Sequence, residues 1–309
     1  MRGMGLLIAL LALLAPASQA WATLPAEQPY RIGHHGRLVT DVYINGQGPF
    51  AFLIDSASSR SLIFEHVRKQ LNLTQSQPGL LTIFGINDVG NAVPVKPGTL
   101  RVAGEEIRDL TLGVLPDTET AGPDGVLGTD VLAHYFVVLD RGAMRIKLLP
   151  PDGDAAREFS GWAQTPLVSR PLKKFPIQFW YIKTRFNDQG ITSLFDLGAG
   201  TTMMNWQAAE RLGLHRHNFA TYGPPPVELQ DVLGKRAPAV QLMGLEVRLS
   251  GRTWTKQTAI AAEAPIFTYF DLEEQPAAIV GPGLLIDNSL AIDFAGQRLF
   301  IGPTVTKDQ

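Results

Sequence analysis

The stretch "AFLIDSASSRSLI", residues 51–63, is an apolar strand-like run that ends on a carboxylate, Asp55, and continues into small and hydroxyl side chains. A lone Asp after a strand usually caps a helix or closes a turn. A stretch of the same design follows at residues 193–205, "SLFDLGAGTTMMN", with Asp196 in the matching place. Two such loops in one chain indicate a repeated unit.

The repeat extends beyond these two loops. Asp55 and Asp196 are 141 positions apart, and the same offset relates Leu71 to Leu212 in the short helices predicted after each loop. Upstream, both Asp residues end a predicted β-hairpin with a Gly-containing polar turn. Strands therefore dominate both units, and the sequence predicts an all-β protein.

A second pair of matched segments lies downstream in each unit. "VLGTDVL" at 126–132 corresponds to "IVGPGLL" at 279–285, with Gly128 and Gly281 separated by 153 positions. The second unit is thus 12 residues longer between its anchors, and we expect loops in the middle region to absorb the difference. We predict an N-terminal lobe over 28–150, a linker over 151–169 and a C-terminal lobe over 170–304.

The first 22 residues have the pattern of a signal peptide. Arg2 precedes the apolar run "GLLIALLALLA" at 5–15, which is too short to span a bilayer, and Pro16 and small residues follow. We expect an exported protein, periplasmic or secreted, with no membrane span in the mature chain. An uncleaved membrane anchor is the alternative.

The composition excludes several classes of function. The chain has no Cys, which rules out disulfides, a thiol nucleophile and Cys-ligated zinc. The net charge is −2 and no basic run occurs, so we expect no nucleic-acid partner. The His pairs at 34–35 and 215/217 lack zinc-ligand spacing, and no phosphate- or dinucleotide-binding motif is found, so we predict no metal and no cofactor.

The duplication gives the two carboxylates a possible chemical role. Two units related by a pseudo-twofold axis can bring equivalent loops together, which would place Asp55 and Asp196 in one cleft. Like charges that close share one proton, so one carboxyl group can act as base and the other as acid toward water. The small residues after each Asp would permit the close approach. Units that do not face each other are the alternative.

The loops "LIDSAS" and "LFDLGAG", each followed by an apolar-apolar-Gly segment, resemble the retropepsin-like and pepsin-like aspartic proteases. The resemblance covers nearly the whole mature chain, in the bacterial-type arrangement of two retropepsin-like units in one polypeptide. It implies a bilobal acid-protease fold of two pseudo-twofold-related β-barrel units. It also implies a catalytic pair, Asp55 and Asp196, with a peptide bound across the cleft.

The two loops differ in the residues that support the pair. In this family the residue after Asp carries a hydroxyl that bonds to the opposite loop; Ser56 can do so and Leu197 cannot. Ala57 stands where the family has Gly, while Gly198 keeps it, and Ser58 could orient Asp55. The resemblance thus indicates the fold more directly than the activity.

Two hairpins are predicted as flaps over the cleft. In the first unit "LTIFGINDVGNAVPV", residues 81–95, offers Phe84 and Gly85 near its tip, and a hairpin packed on its own lobe is the alternative. In the second unit "ELQDVLGKRAPAV", residues 228–240, offers Asp231 and Gly234.

From these observations we predict a monomeric aspartic endopeptidase that cleaves peptide or protein substrates with a water activated by an Asp–Asp pair. The alternative is a catalytically impaired module of the same fold that binds peptides or proteins.

Overall fold

The computed structural model describes residues 26–117, 122–151, 153–172, 175–218 and 226–305. The predicted signal peptide, residues 1–22, lies outside the described residues, so export stays a prediction. Within the described ranges, none of the helices has the length and apolarity needed to cross a bilayer.

The N-terminal lobe is built almost entirely from short strands, with two short α-helices and a 3-10 turn at His34–Gly36. Its elements are β1 (Glu27–Ile32), β2 (Leu38–Ile44), β3 (Gln47–Ile54), β4 (Leu62–Phe64), α1 (Glu65–Gln70), β5 (Leu81–Phe84), β6 (Val89–Val95), β7 (Leu100–Val102), β8 (Glu105–Ile107), β9 (Leu112–Leu115), β10 (Gly125–Leu127), α2 (Thr129–Leu132), β11 (Phe136–Asp140) and β12 (Arg145–Leu149).

The remainder of the chain repeats this plan, with a second 3-10 turn at Pro282–Leu284. Its elements are α3 (Ala155–Glu158), β13 (Ala163–Pro166), β14 (Val168–Leu172), β15 (Phe175–Phe186), β16 (Gln189–Phe195), β17 (Met203–Met204), α4 (Trp206–Arg211), β18 (Val227–Gln230), β19 (Arg236–Leu249), β20 (Arg252–Ala261), α5 (Pro265–Tyr269), β21 (Ala277–Val280), β22 (Asn288–Asp293) and β23 (Arg298–Thr304).

The strand order shows the internal repeat directly. The N-terminal lobe has the order β2-β3-β10-β4-β9-β6-β5, and the C-terminal lobe has β15-β16-β21-β17-β20-β19-β18. Each strand that ends on a predicted catalytic Asp, β3 or β16, pairs in parallel with the strand of its apolar-apolar-Gly segment, β10 or β21. The predicted all-β bilobal fold is confirmed, and the equivalent loops occupy equivalent places in the two lobes.

The two lobes share one antiparallel sheet. The last hairpins of the units, β11–β12 and β22–β23, join through β11 and β22, with Val138 opposite Ala291. β1 completes this sheet at one side and β13 at the other. The segment predicted as a linker therefore also contributes structure, since α3 and β13 lie within it.

Aromatic side chains cover one face of the shared sheet. The rings of Phe136 and Phe159 stack at 5.5 Å, and Trp162 packs edge-on against Phe159 at 4.8 Å. These rings belong to one buried cluster with Phe300. Burying large aromatic surfaces is strongly favourable, so this cluster holds α3 against the shared sheet where the two lobes meet.

Candidate active site

Asp55 lies immediately after β3 in a tight turn. Its N–H donates to the carbonyl of Leu127 at 3.0 Å. Its Oδ1 accepts the N–H groups of Ala57 at 2.8 Å and Ser58 at 2.9 Å. Backbone donors thus hold the carboxylate in one orientation and leave Oδ2 to face the neighbouring loop.

Asp196 has the same environment in the other lobe. Its N–H donates to the carbonyl of Val280 at 3.0 Å. Its Oδ1 accepts the N–H groups of Gly198 at 2.8 Å and Ala199 at 3.0 Å. Matching bonds at matching positions are what a pseudo-twofold axis between the loops requires.

The two carboxyl groups meet at this axis, close enough for each to alter the pKa of the other. Burial raises the pKa of Asp55, although the N–H groups of Ala57 and Ser58 oppose the rise. Burial and the nearby charge of Asp55 raise the pKa of Asp196 well above its ordinary value. Two like charges this close disfavour ionisation of both groups, so the pair titrates as a unit. The alternative, in which the units do not face each other, does not hold.

Gly198 makes this close approach possible. A Cβ atom built on Gly198 would lie 2.4 Å from Cγ and Oδ2 of Asp55, well inside any permitted contact. Ala57, in the opposite loop, carries a Cβ and packs against the apolar cluster of the C-terminal lobe. Its backbone is not among those with left-handed φ, so Ala is accommodated there without strain.

Ser56 links the two loops beneath the carboxyl groups. Its hydroxyl donates to the carbonyl of Phe195 at 2.8 Å and accepts the N–H of Leu197 at 2.9 Å. Ser56 is fully buried, and Leu197, its counterpart, is 1% exposed and part of the main apolar core. One half of the cross-loop hydrogen bonding is therefore built, and an apolar side chain replaces the other half.

Ser58 supports Asp55 through its backbone N–H and not through its hydroxyl. The hydroxyl donates to the carbonyl of Arg60 at 2.7 Å, and only the N–H of Ser58 reaches the Asp55 carboxylate. The side chain is used within its own turn because the carboxylate is already occupied by two backbone donors.

The glycines of the two downstream segments lie directly behind the loops. A Cβ on Gly128 would come within 2.8 Å of the carbonyl oxygens of Ser58 and Arg60. A Cβ on Gly281 would come within 2.9 Å of the carbonyl oxygen of Ala199. Each glycine thus lets one wall of the site pack backbone to backbone.

The two predicted flaps contact each other at their tips. The turn between β5 and β6 contains Asn87, whose N–H donates to Asp231 Oδ2 at 3.0 Å, and whose side-chain amide donates to the carbonyls of Leu229 and Lys235 at 3.0 and 3.1 Å. Asp231 itself is 7% exposed. Gly85 faces it so closely that a Cβ would lie 2.6 Å from Asp231 Oδ2.

Each flap packs on the opposite lobe. Phe84 and Ile86 join the apolar cluster of the C-terminal lobe, where the Phe84 ring lies 5.4 Å from that of Tyr269. Val232 and Leu233 join a cluster of the N-terminal lobe. The first hairpin is therefore not packed on its own lobe alone. Gly234 lies in the turn between β18 and β19 and has a left-handed backbone, with φ of +78°, which glycine adopts without strain.

Two residues at the cleft were not singled out by the sequence. Asn87 has only its place in the polar turn "GIND" as a signal, and Arg37 only its place beside His34 and His35. Arg37 lies near Gly200 of the opposite loop, and its charge is close enough to lower the pKa of Asp55. Their roles depend on contacts with residues that are distant in sequence.

The described residues contain no group of three or more His, Asp or Glu side chains placed to hold a metal ion. His34 and His35 stack on each other with ring centroids 4.4 Å apart, and the rings of His215 and His217 are 5.7 Å apart.

Comparisons with known proteins bear on the family and on the fold. Residues 40–131 match the family model described as Aspartyl protease, so the predicted relation to the aspartic proteases is confirmed. The match includes the Asp55 loop and the Gly128 segment.

The fold of the whole chain also has a counterpart. The crystal structure of an aspartic proteinase from Irpex lacteus superposes with a TM-score of 0.55 at 13% sequence identity, covering 90% of this chain and 97% of that one. At this identity the likeness concerns the fold alone. No curated protein matches the sequence significantly.

Proposed function

We propose that the protein is an aspartic endopeptidase in which Asp55 and Asp196 activate a water molecule for attack on a peptide bond. The observation that carries the proposal is the facing of two equivalent loops, so close that a Cβ on Gly198 would lie 2.4 Å from Asp55 Oδ2, with burial raising the pKa of both carboxyl groups. Two neighbouring carboxyl groups that share one proton can divide into a base and an acid.

The steps follow from the proton positions. Ionised Asp55 takes a proton from the water as its oxygen attacks the carbonyl carbon, and protonated Asp196 gives its proton to the carbonyl oxygen. The tetrahedral diol then collapses: Asp55 passes its proton to the leaving nitrogen, and a diol hydroxyl returns a proton to Asp196. The pair ends with the single proton with which it began.

This scheme defines a pH dependence. Activity rises as Asp55 loses its proton and falls as Asp196 loses its own, so the profile is bell-shaped. Because the pKa of Asp55 is raised above 3.8, the acidic limb should lie above that pH.

The test is a peptide-library cleavage screen from about pH 3 to 7 with wild type, Asp196→Ala and Asp196→Asn. Cleavage by wild type alone, blocked by a pepstatin-like transition-state analogue, supports the enzyme. No cleavage at any pH, together with no binding of the analogue, refutes the proposed peptidase activity.

A second function is favoured by one observation. Leu197 is buried where a hydroxyl would complete the bonding between the loops, and this is the arrangement expected of a catalytically impaired module that binds peptides. Such a module would bind library peptides in the cleft with unchanged affinity in Asp196→Asn and would release no products.

A further inference from the structure

The loop that joins β1 to β2 brings a cation to the border between the lobes. The N–H of Gly33 donates to the carbonyl of Arg37 at 2.7 Å and closes the loop. Its 3-10 turn at His34–Gly36 contacts the turn at Pro282–Leu284 of the other lobe. The Arg37 side chain is thereby carried to the Asp196 loop.

Gly200 leaves room for this side chain. A Cβ on Gly200 would lie 3.4 Å from Nε and 3.6 Å from Nη2 of Arg37. The guanidinium group therefore lies against the backbone of the opposite loop, beside the His35 side chain.

Among the described residues, the Arg37 side chain has no hydrogen-bond or ion-pair partner. Its Nε is buried without a hydrogen bond, and no ion pair of Arg37 occurs within the described part of the chain. A buried donor without an acceptor is unfavourable, and more so when the donor is charged. Arg also presents a planar fork of donors that matches a carboxylate.

The other residues of the 33–37 loop carry no carboxylate that could accept a hydrogen bond from Arg37. Burial, with the neighbouring His34 and Arg37, lowers the pKa of His35. Arg37 is thus the permanent cation here. Asp55 is the carboxylate that senses its charge, and both Asp55 oxygens are engaged, Oδ1 by backbone donors and the carboxyl group by Asp196.

We propose that Arg37 binds a carboxylate of the peptide in the cleft, so that the protein selects peptides with an acidic side chain or a free carboxyl terminus at the position beside Gly200. The inference rests on the proposed peptide-binding function of the same cleft and names its substrate class. The carboxylate would supply the acceptor that the folded chain does not provide.

The test uses matched peptides in which Glu or Gln is placed in turn at each of the positions on either side of a cleaved bond. A second series compares free and amidated carboxyl termini. We expect wild type to prefer the carboxylate at one position by about tenfold or more in kcat/KM, as a charged hydrogen bond allows. The series that shows the preference identifies the source of the carboxylate.

Variants assign the preference to one side chain. Arg37→Gln should abolish the preference while the neutral peptide is still cleaved, and Arg37→Lys should retain part of it. Each variant is measured at its own pH optimum, because loss of the Arg37 charge should raise the pKa of Asp55. Arg185→Gln is the matched control, since Arg185 is exposed and paired with Asp188.

Failure of this inference differs from failure of the proposed function. If neutral and acidic peptides are cleaved equally at every position, the carboxylate site is refuted and the peptidase stands. If nothing is cleaved, fluorescence anisotropy with Asp196→Asn and labelled Glu and Gln peptides decides. A preference for Glu that Arg37→Gln removes supports the site, whereas equal binding or no binding refutes it.

Discussion

At the scale of single residues, the site depends on small differences between two nearly equivalent loops. Asp55 and Asp196 have the same set of backbone donors, yet the charge of Arg37 acts on Asp55 and the charge of Asp55 acts on Asp196. The loop with Ser56 supplies the cross-loop hydrogen bonds, and the loop with Leu197 supplies apolar packing. The two loops thus differ in the charges that act on them and in their hydrogen bonding, although their backbones match.

Ser56→Ala tests the link between the loops. The change leaves the carbonyl of Phe195 and the N–H of Leu197 buried without their partner, which should cost about 1–3 kcal/mol and lower kcat more than it raises KM. Thermal unfolding and peptide cleavage measure the two effects. Ser58→Ala is the matched control, because its hydroxyl bonds only within its own turn; equal losses in both variants would contradict the assignment.

Asp196→Asn tests the buried acid through stability. The folded-state pKa of Asp196 is raised well above 3.8, so its contribution to stability is present below that pH and is lost as the pH rises through the folded-state value. Asn keeps the Oδ1 acceptor and removes the charge. We therefore expect the variant to be more stable than wild type at pH 7 and similar to it near pH 3.5.

Denaturant unfolding at several pH values measures this difference. A gain of about 1 kcal/mol would also raise Tm by about 2–4 °C in a chain of this size. Asp41→Asn is the control, because Asp41 is an exposed partner of Arg31 and should change little. A variant less stable than wild type at pH 7 would contradict a strained, charged pair.

At the scale of elements, each of the two flap hairpins packs its side chains on the opposite lobe. The β5–β6 hairpin places Phe84 in the apolar cluster of the C-terminal lobe, and the β18–β19 hairpin places Leu233 in that of the N-terminal lobe. Asn87 holds the tips together, because it donates hydrogen bonds to Asp231 and to the carbonyls of Leu229 and Lys235. In the proposed peptidase, a peptide that reaches the two carboxyl groups would have to separate these hairpins.

Gly85→Ala tests the contact between the tips. Its Cβ would overlap Asp231 Oδ2 at 2.6 Å, so the tips must separate. We expect amide hydrogen exchange in residues 84–92 and 227–236 to accelerate by about tenfold, the equivalent of about 1.4 kcal/mol. Mass spectrometry resolves these segments.

The control for this change is Gly190→Ala, where a Cβ meets nothing within 4 Å. It should leave exchange in both hairpins as in wild type. Unchanged exchange in Gly85→Ala would show that the tips are not held by this contact.

At the scale of the whole molecule, the shared sheet makes the two lobes one folding unit. β11 and β22 are both central strands of that sheet, and neither lobe can complete it alone. The aromatic cluster around Phe159 covers the same joint. Because the catalytic candidates come from different lobes, the distance between them depends on this sheet.

We expect wild type to unfold in a single transition, with equal calorimetric and van't Hoff enthalpies. Ala291→Pro should strongly destabilise the protein and split the transition in two, because Pro cannot donate in a central strand. Ala291→Gly keeps the N–H and should lose only about 1 kcal/mol. Two transitions in wild type would show that the lobes are independent.

The sequence was sufficient for features that depend on local pattern and repetition. The period of the strands, the two Asp loops and the two apolar-apolar-Gly segments predicted the fold class and the paired carboxyl groups. Each of these patterns is contained in a short run of consecutive residues, and each occurs twice because the unit is duplicated. Gly198 was predicted for the same reason, since close approach of two loops requires a small residue.

Other features were decided by tertiary contacts alone. The Ser58 hydroxyl turns to Arg60 because backbone donors already occupy Asp55, and the flaps pack on opposite lobes because each tip fits the other lobe's apolar cluster. Asn87 and Arg37 acquire their surroundings from residues more than 140 positions away. The sequence by itself determined which residues form each half of the site. Only the packing of one lobe on the other decided what those halves contact, since charge and hydrogen bonding depend on distance in space.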